Sequence, residues 1–433
     1  MRKGQSLALV GALALAMGLS ACGGDSGDDK DSAGKGGGLE GHGPITLATG
    51  KDTTGTLQAQ LDAWNKDHPS EKVTLNELPE SADQQRQQFI QNAQTKSDAY
   101  TVLNMDVVWT AEFAANQWID ELPADKFDLN KMIPAVVETG KYFKKQYAIP
   151  YNTNAGLLFY RKDLLDKVGA QAPKTWDEMK ATCDKVKALP EGKDLSCYAG
   201  QYDKYEGLTV NFSEAVQSAG GKVVDDAGKP TVNSPEAKKG LQTLVDAFGN
   251  GTISQEAVTY KEEEGRRAFQ AGKVLFHRNW PYVWTLGNKT DGSSQVAGKF
   301  AVGQLPGIAG PGRSTLGGAN LAISKFGKNK ATAVDFIKFL TNEANAKQNL
   351  QSNSLAPVFP DLYTDASMTE KFPYLPALKE SLTNAVGRPQ VVNYGDATTA
   401  IQENAYAAIT KAKPVDQALA DMQKKLEEIA NKK

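Results

Sequence analysis

The chain has little of what most reactive sites are built from. It holds only three histidines and three cysteines in 433 residues. His42, His68 and His277 stand far apart and share no metal-ligand spacing. Two cysteines without histidines beside them do not fill the four positions of a zinc site. No G-x-S-x-G elbow and no G-x-x-x-x-G-K-[ST] phosphate loop occurs. None of these absences leaves a place for a cofactor, so none is expected. Net charge is nearly absent as well: 49 basic side chains stand against 51 acidic ones. A nucleic-acid binder needs a basic face, so that class is not expected. Beyond the first forty residues no run of 18 uncharged apolar residues occurs, and nothing there reads as a membrane-spanning helix. No internal repeat is visible. Hydrophobic residues make up 40% and charged residues 23%, so the chain still has the material for two or three ordinary globular domains.

What is present begins at the N-terminus. Arg2 and Lys3 precede an apolar run, Ser6 to Leu19, too short to span a bilayer but of the length of a secretory core segment. The run ends in Leu19-Ser20-Ala21-Cys22, which resembles the bacterial lipoprotein signal. That resemblance implies cleavage after residue 21 and lipid on Cys22, anchoring the chain to the outer face of a bacterial membrane. Two or more acyl chains anchor stably where one is marginal. An ordinary signal peptide is the alternative. Residues 22–43 are rich in Gly, Ser, Asp and Lys and read as a flexible tether, because such composition cannot bury a core. In an oxidising compartment the two remaining cysteines, Cys183 and Cys197, form an even pair across a Pro-Glu-Gly turn. We expect a disulfide; two separate buried thiols are the alternative.

From residue 44 the pattern alternates. Ile45–Thr49, Val73–Glu77 and Tyr100–Met105 read as strands. Helices are expected around Leu57–Lys66, Gln84–Thr95 and Val107–Gln117. Such alternation implies an α/β fold with a parallel sheet, whose ligands sit beyond the carboxyl ends of the strands. The segments past those ends are Gly50–Thr54, Glu80–Ala82 and Asp106. Next, two apolar strands flank a polar crossing, Asn152-Thr153-Asn154. Further helices are expected at Trp176–Leu189, Pro235–Phe248, Glu262–Ala271, Lys330–Leu340, Asp396–Thr410 and Val415–Ala430. Strands are expected at Lys273–Arg278, Phe300–Leu305 and Asn320–Ser324. The run Glu262-Glu263-Glu264 reads as a solvated helix start, favoured by the dipole.

Five segments in order carry a resemblance. They are MDVVWTAEFAANQWIDEL (Met105–Leu122), AIPYNTNAGLLFYRKDLL (Ala148–Leu165), KVLFHRNWPYVW (Lys273–Trp284), LGGANLAIS (Leu316–Ser324) and GRPQVVNY (Gly387–Tyr394). Together they resemble the extracellular solute-binding proteins of carbohydrate ABC importers, nearest by motif to the trehalose/maltose-binding group. The resemblance implies a two-lobe fold of the type II periplasmic-binding-protein kind, with a hinge and a ligand cleft between the lobes. It puts residues 44–153 and 316–360 in lobe 1. Residues 154–315 and 361–433, with C-terminal helices packed across the hinge, fall in lobe 2. It implies a monomer that binds a sugar, an α-linked disaccharide such as trehalose or maltose, and hands it to a membrane permease driven by a cytoplasmic ATPase, with no catalysis. A different oligosaccharide or a non-sugar solute is the alternative, and a secreted glycosidase a further one.

The same resemblance implies site residues. A sugar needs carboxylates, amides or Arg for its hydroxyl rim and an aromatic plane for its C–H face. Asp106 would accept hydroxyl protons; a helix-cap role is the alternative, and the two are compatible. Asn154 stands where relatives carry Asp. Trp280 would stack; a core role is the alternative. Arg388 would reach the ligand between the lobes; a structural ion pair is the alternative. Gly317 and Gly318 would let backbone N–H groups approach. Arg86, Asp52, Tyr151 and Tyr394 complete the expected set. Where relatives have an aromatic residue after the paired glycines, this chain has Ala319, and Trp109 or Tyr151 would have to replace it.

Overall fold

The computed structural model describes residues 38–52, 55–225 and 228–431. The signal at 1–21, Cys22 and the tether up to residue 37 lie outside them. By contacts, the described residues from Leu39 onward form one compact unit.

Two sheets organise this unit. The chain enters through β1 (Ile45–Gly50), β2 (Val73–Leu78) and β3 (Val102–Asp106). β1 pairs in parallel with both others, from Ile45 against Val73 to Gly50 against Leu78 on one side. A short hairpin, β4 (Lys141–Tyr142) and β5 (Lys145–Gln146), leads to β6 (Ala148–Ala155). β7 (Leu157–Tyr160), β8 (Ser196–Ala199), β9 (Val274–Asn279) and β10 (Ala301–Gly303) then form a second sheet in the order β10-β7-β9-β8. β11 (Thr315–Ile323) returns to the first sheet, antiparallel to β3 and β6, and β12 (Val386–Gly387) pairs with its start. Helices cover both sheets, as parallel strands buried on their faces require.

Each sheet has its own core. Leu47, Leu61, Trp64, Val102, Ile149, Leu321, Phe336 and Ile337 pack together in the first. Leu158, Met179, Phe212, Leu241, Leu275 and Phe276 pack in the second. Ile401, Met422 and Leu426 join that second core from the two C-terminal helices, Tyr394–Ile409 and Val415–Ala430. Cys183 and Cys197 lie in the same core and are joined as a disulfide.

The chain passes between the sheets three times, and the passages meet at Ser314. The Gly156 N–H donates to the Ser314 hydroxyl, and the Val386 N–H donates to its carbonyl at 2.9 Å. Beneath them lies a buried ion pair: Arg278 donates through Nε to Glu214 at 2.9 Å. Glu214 also accepts from the Thr315 N–H at 3.2 Å.

Several expectations shift. The tether ends earlier than residue 43. The carbonyls of Glu40 and Gly41 accept the Lys330 and Ala331 N–H groups, which the helix Lys330–Leu340 leaves open at its start, so residues 39–43 are docked. The helix after β3 begins at Thr110, not Val107, because the Asp106 side chain takes the Val108 N–H into a turn. Asn152-Thr153-Asn154 is not a crossing but the end of β6; the break falls at Gly156. β11 begins at Thr315, five residues before the expected Asn320, because the paired glycines run inside the strand. The strand expected at Phe300–Leu305 shrinks to Ala301–Gly303. In the helix Lys330–Leu340, Phe336 is buried with Val334 and Ile337, while Phe339 is only half-buried.

Candidate functional site

A cleft of about 590 Å³ opens at the carboxyl ends of the first-sheet strands. Its wall on that side is Thr49 and Gly50 at the end of β1 with Lys51 and Asp52 after it, Glu80 and Ser81 after β2, Asn104 on β3, and Tyr151, Asn152 and Asn154 on β6. Gln84 and Gln85 join from the helix Ala82–Gln94, and Asn353 and Leu355 from the end of the helix Glu343–Asn353. The opposite wall carries Lys261, Glu262, Glu263 and Glu264, where the helix Glu262–Gln270 of the second sheet begins, together with Tyr282. The lining is therefore amide and carboxylate, with two tyrosine rings.

Three of the sequence-predicted residues line this cleft: Asp52, Tyr151 and Asn154. Asp52 also accepts the Leu57 N–H at 2.8 Å in the first turn of the helix Thr56–Asp67. The Tyr151 ring closes the floor. Its hydroxyl points inward to Gln60 and Asn349, and burial raises its pKa. The buried side-chain oxygen of Asn104 has no hydrogen-bond partner among the described residues.

The other predicted residues lie beside the cleft and are engaged with protein groups. Trp280 is half-buried, with the Arg278 guanidinium 4.0 Å over its ring. Its ring edge lies on Gly317, where an added Cβ would stand 3.1 Å away. Gly318 has φ +129° and its Cβ position is only 2.5 Å from the Asn152 carbonyl oxygen, so both glycines serve close packing within the protein. Arg86 donates from Nε to Glu112 at 2.8 Å. Asp106 and Arg388 form a bidentate pair, at 2.7 and 3.1 Å. Arg388 also donates to Glu206 at 2.6 Å, and Glu206 accepts from the Tyr394 hydroxyl and from Thr398 at 2.7 Å. Trp109 is buried against Phe89 and is core; Tyr151 is the aromatic that reaches the cleft.

The sequence reading passed over one wall. Glu262-Glu263-Glu264 is not simply a solvated helix start. Burial works against the Glu263 charge, but Arg266 and the Tyr282 hydroxyl more than offset it and hold its pKa below the usual range. Glu264 pairs with Arg267, and Glu262 accepts from the Tyr205 hydroxyl at 2.7 Å. Asn104 had a signal available. It sits two residues before Asp106 on the same strand face, so the alternation that places one places the other.

Two sheets, each with its own core, joined by three passages and facing each other across a polar cleft, are the frame of a binding protein. Residues 50–347 match the family of bacterial extracellular solute-binding proteins, and the chain belongs to that family. A probable ABC transporter-binding protein of Deinococcus radiodurans is 34% identical over 89% of this chain and 94% of its own length. Maltose-bound MalE3 of T. maritima is 34% identical, covering 89% of this chain and 99% of its own, with a TM-score of 0.84. A solute-binding protein of Thermotoga lettingae bound with α-D-tagatose shares the fold at 21% identity, with 89% and 99% coverage and a TM-score of 0.81. Family and fold are those of transport solute-binding proteins.

Proposed function

We propose that this chain is the substrate-binding component of an ABC importer and that it captures a sugar, an α-linked disaccharide such as trehalose or maltose. The carrying observation is the cleft itself. Its volume lies in the range of small-molecule sites, roughly 300–1,000 Å³. Its amides and carboxylates match a hydroxyl rim, and Tyr151 and Tyr282 supply ring faces. The maltose-bound relative supports the sugar class. Residues 44–155 with 315–360 act as one lobe and 156–314 with 361–433 as the other, the boundaries moved from the expected 153/154 and 315/316 to the end of β6 and the start of β11. A sugar that touches both walls favours the closed form, because only that form makes both sets of contacts. The closed protein then delivers the sugar to a permease coupled to an ATPase.

Calorimetry on the chain from Leu39 onward, titrated with trehalose, maltose, sucrose, cellobiose and xylobiose, tests this reading. One-to-one binding of an α-linked disaccharide is the expected result. Silence on all five would remove the sugar from the proposal. Incubation with a chromogenic glycoside should release no product, and release would make the chain a glycosidase.

One observation favours a second reading. Three of the five cleft carboxylates are already paired, Glu80 with Lys51, Glu263 with Arg266 and Glu264 with Arg267, but Glu262 has no basic partner among the described residues. A solute bearing an amine would satisfy that carboxylate. Binding that weakens in high salt would favour the amine, since a neutral sugar has no charge to screen.

The protein is held at the membrane by lipid on Cys22. Cys22→Ala should therefore move it from the detergent phase to the aqueous phase on phase partition. Retention in the detergent phase would refute the lipid anchor.

A further inference from the structure

The cluster around Arg388 joins the two sides of the cleft. Asp106 ends β3 of the first sheet, and Glu206 begins the helix Glu206–Ser218, which follows β8 of the second. Arg388, just past β12, grips both carboxylates at once, at 2.7 and 2.6 Å. Asp83, in the first turn of the helix Ala82–Gln94, lies near Glu206 from the first-sheet side; burial raises its pKa, and the Glu206 backbone opposes that rise. The described tie thus runs from Asp106 on one side, through Arg388, to Glu206 on the other.

We propose that Asp106, Arg388 and Glu206 form a latch between the lobes, with Glu206 the positioning residue that aims Arg388 at Asp106. Tyr394 and Thr398 in turn fix the Glu206 carboxylate from the C-terminal helix Tyr394–Ile409. The inference rests on the two sheets acting as closing lobes.

The latch has a charge imbalance. Asp106 and Glu206 share one guanidinium, Asp83 adds a third carboxylate beside Glu206, and the nearby Arg86 is committed to Glu112. The titratable groups facing Glu206 are Arg388, Asp106, Tyr394 and Asp83. Lys261 and Glu262 face Asp83 from the opposite wall. Burial, with Asp106 and Asp83 adding to it, pushes Glu206 up to about 7 against the pull of Arg388 and Tyr394. Opening the lobes returns water to Glu206 and takes both aspartates away, so its acidity reverts toward that of an ordinary glutamate. The closed form therefore binds a proton that the open form releases. Closure is favoured below about pH 7 and loses that support as pH rises through 7.

Small-angle scattering of the solute-free protein between pH 8 and pH 6 tests this. The ratio of closed to open should rise about tenfold over that range, read as a fall in radius of gyration. Glu206→Gln cannot ionise and should show no such pH response. Asp106→Asn removes the other end of the bridge; it should be more open at every pH and respond less. Should Glu206→Gln fail to fold by circular dichroism, Asp106→Asn decides. A wild-type radius that does not change with pH, or a Glu206→Gln response equal to wild type, overturns the latch. No sugar is needed, so failure of the sugar proposal in calorimetry leaves this result readable, and the converse holds.

Discussion

Glu214→Ala should cost the protein about 3–5 kcal/mol of stability, the range for removing one partner of a buried ion pair. Arg278 and Glu214 have side chains 1% and 8% exposed, so the abandoned guanidinium has no water to turn to. Glu214 does more than neutralise Arg278. It accepts the Thr315 N–H where β11 leaves the hinge, and Gln201 holds the far side of the guanidinium at 3.0 Å. Gly156→Ala should damage the same unit. Its Cβ would stand 2.6 Å from the Glu214 carboxylate and 2.7 Å from Arg278. Urea unfolding measures both variants. A loss under about 1 kcal/mol for Glu214→Ala would mean that the pair is solvated in solution. Because Arg278 also lies under Trp280, Glu214→Ala should loosen the Trp280 ring, visible in its fluorescence.

Removing the disulfide should have the next largest effect. Cys183 and Cys197 are 14 residues apart, and a loop of that length is constrained in the unfolded chain by about 3 kcal/mol. Both residues are nearly fully buried in the second core, so reductant acts mainly on chains that have opened. The expected result is a wild-type unfolding midpoint that falls in reductant to that of Cys183→Ala/Cys197→Ala, while the double variant is unmoved. A double variant as stable as the oxidised protein would mean that the bond adds nothing to the packing around it.

The alternation of apolar periods was enough to read the α/β class, since strand and helix signals of the first sheet follow each other at short spacing. The helices Lys330–Leu340 and Val415–Ala430 were legible to the residue, because their apolar stripes run unbroken between clear ends. What misled the reading was polarity and glycine inside strands. Asn152-Thr153-Asn154 and Gly317-Gly318 look like punctuation, yet they are strand residues: Asn152 and Asn154 line the cleft, Gly317 lies against Trp280 and Gly318 against the β6 backbone. The cleft was partly legible for the same reason it exists. Gly50–Asp52, Glu80 and Ser81 follow strand ends, where open α/β sheets bind ligands. The opposite wall was not. Lys261 to Glu264 lie more than 100 residues beyond β6 in sequence, and no local period tells which helix end the second sheet will turn toward the first. Nor does sequence reveal that Asp106 and Arg388, each suited to a hydroxyl, lie close enough to satisfy each other.

The return of β11 to the first sheet also fixes an order of assembly. β11 pairs with β3, β6 and β12, so it is the strand on which that sheet depends. Yet roughly 200 residues, including every strand of the second sheet, separate it from β3, and contacts so distant in sequence form slowly. As the chain emerges from its N-terminus, β1, β2 and β3 come out with the β3 edge bare, and the second sheet can complete its four strands before the first receives β11. An unfinished sheet with an open edge invites pairing with another chain. A chain halted before Thr315 should therefore hold a formed second sheet beside a protease-sensitive first one, and a chaperone that guards the emerging protein has residues 45–155 as its segment to shield.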